Sequence, residues 1–317
     1  MSTIAVRSSS QEEAVPLHGE DQIECRLEGR HNPYAFLCAF EADPSLFQPG
    51  QLRERLLALD DLDAGFGGCN CGTLMHSRQM RDRATTLRER LETANAELYR
   101  SIRSELMSGA GGQALFQWIH GSVGQNASGN ASRGLGFDWR DELVSGVLHF
   151  SEPREADLPL SPEMVPYQPT PVRHILDLIA DCSLSKDDVL IDIGSGLGHV
   201  ALLVSILAGI RSVGIEIQPA YVASAQECAQ NFRLSDVRFV AEDARAADLS
   251  IGNVFYLASP FTGSILSAVL NKLQIESKRR SITICSLGPC TRMLESQGWL
   301  RAISKLDVEK VTLFKSQ

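Results

Sequence analysis

The sequence predicts an α/β protein: a doubly wound, mostly parallel seven-stranded sheet with an antiparallel last strand, preceded by a mainly helical region. Two patterns carry that expectation. From Pro171 onward, short apolar runs alternate with amphipathic segments, as parallel strands covered by helices on both faces do. Before residue 160 the apolar spacing is three and four, which is helical.

Taken in order, residues 1–20 are polar and aperiodic and read as a disordered tail. Residues 21–160 are expected to form a mainly helical domain, a cap over substrate or an oligomerisation arm, and 161–317 the sheet domain. Pro44 to Asp63 reads as a helix ended by Gly65, Gly67 and Gly68. Ser77 to Met107 carries one apolar stripe through Met80, Ala84, Leu87, Leu91, Ala94, Leu98, Ile102 and Leu106. That stripe wants a partner helix, within its own region or in a second copy as a homodimer. Gly109 to Gly136 reads as a long loop interrupted by an apolar turn, ALFQWI, and as either a lid or a disordered connection.

In the second part, strands are expected at 188–193, 212–216, 237–241, 253–258 and 281–287. Helices are expected at 171–181, 198–208, 219–232, 263–275 and 289–297. Trp299–Leu306 and Glu309–Lys315 are expected to pair as an antiparallel hairpin across a tight turn at Asp307 and Val308.

The 317 residues carry a formal charge of −9. Up to Leu160 there are 15 Arg and no Lys against 23 acids, and after it 15 basic residues against 16 acidic. That balance has the wrong sign for a broad nucleic-acid or membrane footprint, so neither partner is expected. The chain starts without a recognisable export signal, so a cytoplasmic setting with the eight cysteines reduced is expected. Cys69, Cys71 and His76 hint at soft metal ligation, but the C-x-C lacks a second pair and no metal is assigned. Asn126 and Asn130 stand in glycosylation sequons that mean little without export.

The decisive segment is VLIDIGSGLGHVALLV. A buried strand delivers Asp192, and Gly194, Ser195, Gly196 and Gly198 then turn the backbone sharply before a helix. A dinucleotide-binding turn wants glycine or alanine where this chain has His199. The next strand ends at Glu216, followed by Ile217 and Gln218, where a carboxylate can take both hydroxyls of a ribose. A third strand ends at Asp243 and Ala244, placed to meet an adenine amine.

DIGSGLG, GIEI and AEDA on successive strands closely resemble the Rossmann-like, seven-strand S-adenosylmethionine-dependent methyltransferases. The resemblance covers about Tyr167 to Lys315. It implies that Asp192 and the Gly194–Gly198 turn surround the methionine part of S-adenosyl-L-methionine, that Glu216 binds its ribose and that Asp243 with Ala244 holds its adenine. Ser259-Pro260-Phe261 resembles, with one proline missing, the Asx/Ser-Pro-Pro-aromatic loop of amino-methylating nucleic-acid enzymes, and more closely the Asn-Pro-Phe type loop of other members, some protein lysine methyltransferases included; a loop carbonyl there can receive an acceptor amine while Phe261 shields the sulfonium. The same residues also fit an ordinary turn capped by Thr262 or Ser264. Tyr167 and Thr170 either contact the methionine end or, for Thr170, cap a helix whose first residue is Pro171.

Asp138, Trp139, Asp141 and Glu142 combine an aromatic with carboxylates, as recognition of a cationic acceptor requires, or are solvated acids at a helix start. His199, His120 and His149 are candidate general bases, as are these acids. The resulting expectation is a methyltransferase acting on nitrogen or oxygen of a small molecule, with protein or nucleic-acid acceptors and a non-catalytic cofactor-binding scaffold as alternatives.

Overall fold

The computed structural model describes residues 33–66, 78–120, 136–151 and 158–317. The expected tail, Cys69, Cys71, His76, both sequons and the 121–135 part of the expected lid lie outside the described residues.

The helical region consists of α1 (Pro33–Ala42), α2 (Leu52–Phe66), α3 (Arg78–Glu105), α4 (Gly111–His120) and α5 (Trp139–Leu148). The helix expected from Pro44 begins instead as two 3-10 turns, Pro44–Phe47 and Pro49–Gln51. Pro49 has no N–H for an α-helical ladder, so the α-helix starts only at Leu52. Arg55 is fully buried here, and its guanidinium donates to the carbonyls of Leu46 (2.8 Å) and Gln48 (2.6 Å), tying these turns to α2. α1 had no counterpart among the expected elements.

The stripe on α3 is buried within the chain. Its first half packs Ala84, Leu87 and Leu91 against Leu37, Ala58 and Leu62 of α1 and α2, and its second half joins Leu98 and Ile102 to Leu143 and Val147 of α5. ALFQWI is no turn inside a loop but the body of α4, reached from α3 through a π-helical turn at Leu106–Ala110. Gly111 and Gly112 disguise it as loop, yet Gly112 is needed for contact. A Cβ there would stand 1.8 Å from the carbonyl oxygen of Ile206, so the α4 backbone lies directly on another helix end. Burial of Ala114, Leu115 and Ile119 offsets the weak propensity of the glycines.

The C-terminal part alternates α6 (Val172–Asp181), β1 (Val189–Ile193), α7 (His199–Ala208), β2 (Arg211–Glu216), α8 (Pro219–Asn231), β3 (Val237–Ala241), β4 (Val254–Leu257), α9 (Gly263–Ser277), β5 (Thr283–Ser286), α10 (Cys290–Glu295), β6 (Leu300–Ala302) and β7 (Thr312–Ser316). The strands form one sheet in the order β3-β2-β1-β4-β5-β7-β6, with β7 antiparallel to both β5 and β6. This is the Rossmann-like methyltransferase topology. Order reverses between β1 and β4, which opens a crevice at their C-terminal ends.

The closing hairpin is looser than expected. Leu300 pairs with Ser316 and Ala302 with Phe314, so a long connection, and not a two-residue turn, joins the strands. That connection has its own anchors: Thr312 Oγ1 bonds the Asp307 carbonyl (3.1 Å), and Gly288 N donates to Val308 O (3.0 Å).

Helix α7 is apolar all round because it is covered all round. Six consecutive residues, Val200 to Ser205, are buried between the sheet and the helices α4 and α6. None of the described helices is long and apolar enough to cross a membrane. One hydrophobic cluster therefore runs from Leu98, Ile102 and Leu115 through Val200 and Val204 to Leu190, passing across residue 160 without a break. Ile102→Ala, at a fully buried site, should cost about 2–5 kcal/mol. Calorimetry should show the whole chain melting earlier in one transition; a shifted N-terminal transition beside an unmoved second one would contradict the shared core.

Candidate active site

At the crevice lies a cavity of about 520 Å³, within the range of about 300–1,000 Å³ usual for small-ligand sites. Its floor is the turn after β1. Gly194 N and Ser195 N both donate to Ile215 O (2.8 and 3.0 Å), which folds the turn back over β2. Gly196 has φ +53, and a Cβ there would enter the ring of Tyr167 at 2.0 Å. Only glycine lets the aromatic lie on that turn.

Asp192 is buried, with Oδ2 unpaired, and the Ser195 hydroxyl is likewise buried and unpaired. Burial, and then the charge of Glu216, push the Asp192 carboxyl up to about 8, against one stabilising bond from the Ala201 backbone. Glu216 accepts from Gly196 N and Gln218 N, one bond on each oxygen at 2.9 Å. Asp243 is tied to its neighbour Arg245 through backbone and guanidinium donors, which hold its carboxyl below the ordinary range.

The roof is a strap, residues 158–171, and its fastenings are the part of the site least visible in sequence. At one end the Gln218 amide receives Leu158 N (2.8 Å) and donates to Leu158 O (2.6 Å). In the middle Val165 N donates to Pro260 O (3.0 Å), and Thr262 N donates to Glu163 O (2.8 Å). Glu163 then caps α9 from a hundred residues away, accepting from Ser264 N (2.9 Å), Ser264 Oγ (2.7 Å) and Ile265 N (3.1 Å). These bonds hold its carboxyl below the usual range. The caps expected of Thr262 and Ser264 are thus displaced: Thr262 makes no side-chain cap, and Ser264 is itself a donor to Glu163. At the far end Tyr167 reaches His199 Nδ1 (3.1 Å) and Thr170 reaches the Tyr256 hydroxyl (3.3 Å).

The Ser259-Pro260-Phe261 loop closes the other wall. Ser259 holds φ +51, uncommon for a residue with a side chain. Two bonds enforce it: the Ser259 hydroxyl donates to Leu287 O and accepts from Cys290 N, both at 2.9 Å.

Residues 165–246 match the family model described as Histone methylation protein DOT1. The match spans about a quarter of the chain and, with the fold, makes the chain similar to the S-adenosylmethionine-dependent methyltransferases. No curated protein matches it in sequence. Among solved structures, it is similar to an RNA methyltransferase from Salinibacter ruber in complex with S-adenosyl-L-homocysteine (25% identity, 47% of this chain and 92% of that one, TM-score 0.38). It is also similar to the putative methyltransferase yhhF from Escherichia coli (16%, 50% and 91%, TM-score 0.38) and to the human methyltransferase 10 domain containing protein (16%, 55% and 91%, TM-score 0.37).

Tyr167, Thr170, Asp192, Gly194, Ser195, His199, Glu216, Ile217, Gln218, Asp243, Ala244 and Ser259 to Phe261 all line the cavity. Gly196 and Gly198 shape the turn without lining it. The 138–142 group stands elsewhere. Asp138 and Asp141 form a capping box on α5, Asp141 also takes Val172 N (2.7 Å), and Trp139 lies beneath the Arg140 guanidinium. These side chains serve a helix start and its junction with α6. His120 stacks on Phe116 and His149 ends α5 in a left-handed conformation, and neither reaches the cavity. Among the described residues no group of His, Cys, Asp and Glu could hold a metal ion.

Glu163→Ala should release the strap without touching the cavity floor. Hydrogen exchange at the amides of Val165 and Thr262 should accelerate while that of β1 and β2 stays as in the parent chain; equal protection of both segments would refute the clamp.

Proposed function

We propose that the chain methylates a nitrogen or oxygen nucleophile of a small-molecule acceptor, seated between the Ser259–Phe261 loop and α10. The carrying observation is the roofed cavity, continuous from Asp243 to Met293 beneath one strap. Such a space holds a cofactor and a compact acceptor together.

The residues present fit the cofactor. Two buried carboxylates, Asp192 and Glu216, with an unpaired Asp192 oxygen, form a site that lacks only a cation. S-adenosyl-L-methionine supplies a methyl group on a cationic sulfonium, which needs no metal for its transfer. We assign Asp192, Ser195 and Tyr167 to the methionine end. Each Glu216 oxygen keeps a second lone pair for a ribose hydroxyl. Asp243 and Ala244 take the adenine end, Asp243 already oriented by Arg245.

On the acceptor side Phe261, only 6% exposed, walls the reacting centre from water. Pro260 O already accepts from Val165 N, so an acceptor amine would share it as a second donor. Burial pushes His199 down to about 4, so it is neutral at pH 7 and too weak a base to activate an alcohol. Its bond to Tyr167 makes it a support for the strap, and rate enhancement rests on positioning.

A second reading, methylation of a protein, is favoured by the description of the matching family. That match ends at residue 246, before β4 and the acceptor wall. Incubation of a lysate fraction series with cofactor labelled in its methyl group decides between them. Label is expected in the low-molecular-weight fraction; label confined to precipitable protein or RNA would transfer the proposal to that class.

A pH effect follows from Asp192. Its carboxyl lies above the unfolded value of about 3.9, so in the free protein its contribution to stability falls as pH rises from about 4 through about 8. A cationic cofactor favours the ionised form. Binding near pH 7 should therefore release up to about one proton, seen as a calorimetric enthalpy that depends on the buffer, and affinity should rise toward about pH 8. Asp192→Asn should lose both effects, and buffer-independent binding by the parent chain would remove Asp192 from this role.

A further inference from the structure

The ionisable side chains of the cavity are unevenly placed. Asp192, Glu216, Glu242 and Asp243 gather at the ends of β1, β2 and β3. At the opposite end, beyond β5, stands Arg292, the one Lys or Arg among the lining residues. It is exposed, and no carboxylate forms an ion pair with it among the described residues. Arg245, by contrast, is engaged by Asp243, and Arg280 by Glu276.

Arg292 also stands on a fixed base. Its helix is held inward by Leu294, wholly buried, by the Ser286–Thr291 hydroxyl pair (2.8 Å, buried), and by Cys290 N on Ser259 Oγ. The same serine sets the Ser259–Phe261 loop, so guanidinium and loop are positioned together. The cavity also exposes apolar lining, with Leu160, Val165 and Arg292's neighbour Met293 each about two-fifths exposed, at 43%, 45% and 40%.

We infer that the acceptor carries an oxyanion, a carboxylate or phosphate, which Arg292 binds while an apolar body fills the mouth beside Met293. This inference rests on the small-molecule reading above and adds the acceptor's charge. A planar guanidinium matches either oxyanion with two parallel bonds. The field has the sense such a ligand needs: the acidic end favours the cationic cofactor, and an anionic acceptor is left the end where Arg292 stands. It is the opposite charge from the one that the 138–142 acids suggested in sequence.

The test is calorimetric titration of the full chain, loaded with S-adenosylhomocysteine, with benzoate, phenyl phosphate and benzamide. These share an aromatic body and differ in charge. At least one anion should bind about tenfold more tightly than benzamide. Arg292→Gln should erase that difference and Arg292→Lys keep part of it, with S-adenosylhomocysteine affinity unchanged in both. The stronger of benzoate and phenyl phosphate tells carboxylate from phosphate. Anions binding no more tightly than benzamide, or a preference that survives Arg292→Gln, overturns the inference while leaving the cofactor reading in place. Failure of the unsubstituted chain to bind S-adenosylhomocysteine overturns both.

Discussion

Asp192, next to last in β1 and opposite Gly214, and Glu216, last in the adjacent parallel β2, are both buried, an arrangement that costs free energy in the protein alone. Much of the surrounding architecture compensates for it. The glycine turn brings a backbone donor to one Glu216 oxygen, the start of α8 brings another, and Ala201 on α7 approaches Asp192. What remains uncompensated is one Asp192 oxygen, buried without a hydrogen-bond partner.

Helix α7 must sit close to β1 for this to work, and its position is fixed from outside. α4 lies on its C-terminal end through Gly112, and α6 flanks it. The helical region is thus the outer half of the core that holds the glycine turn in place. This explains why an all-apolar helix such as HVALLVSILA is stable in water: it has no face left to expose.

Much of this was legible in the sequence, and for local reasons. Period-two and continuous apolar runs marked the strands, and three acids at or just past strand ends marked one end of the cavity, because short-range backbone geometry puts them there. What escaped detection depended on distant partners. ALFQWI was hidden by glycines whose reason is the Ile206 carbonyl, some ninety residues on. Glu163 carried no signal, since nothing local tells a loop glutamate that it caps a helix at Ser264. Asp138 and Asp141 carried a misleading one: acids beside a tryptophan suit a cation, but the D-x-x-D spacing also suits a capping box, and the helix took them. Arg292 was one arginine among many until the fold placed it opposite the acids.

The strap touches both ends of the cavity. Tyr167 lies on the glycine turn, and Met164 and Val165, three and two residues earlier, lie against Phe261 and Pro260. A ligand that braces Tyr167 therefore also braces the wall met by the other ligand, having already borne part of the cost of immobilising the segment. The two affinities are then linked, and reciprocity requires each occupant to strengthen the other by the same factor.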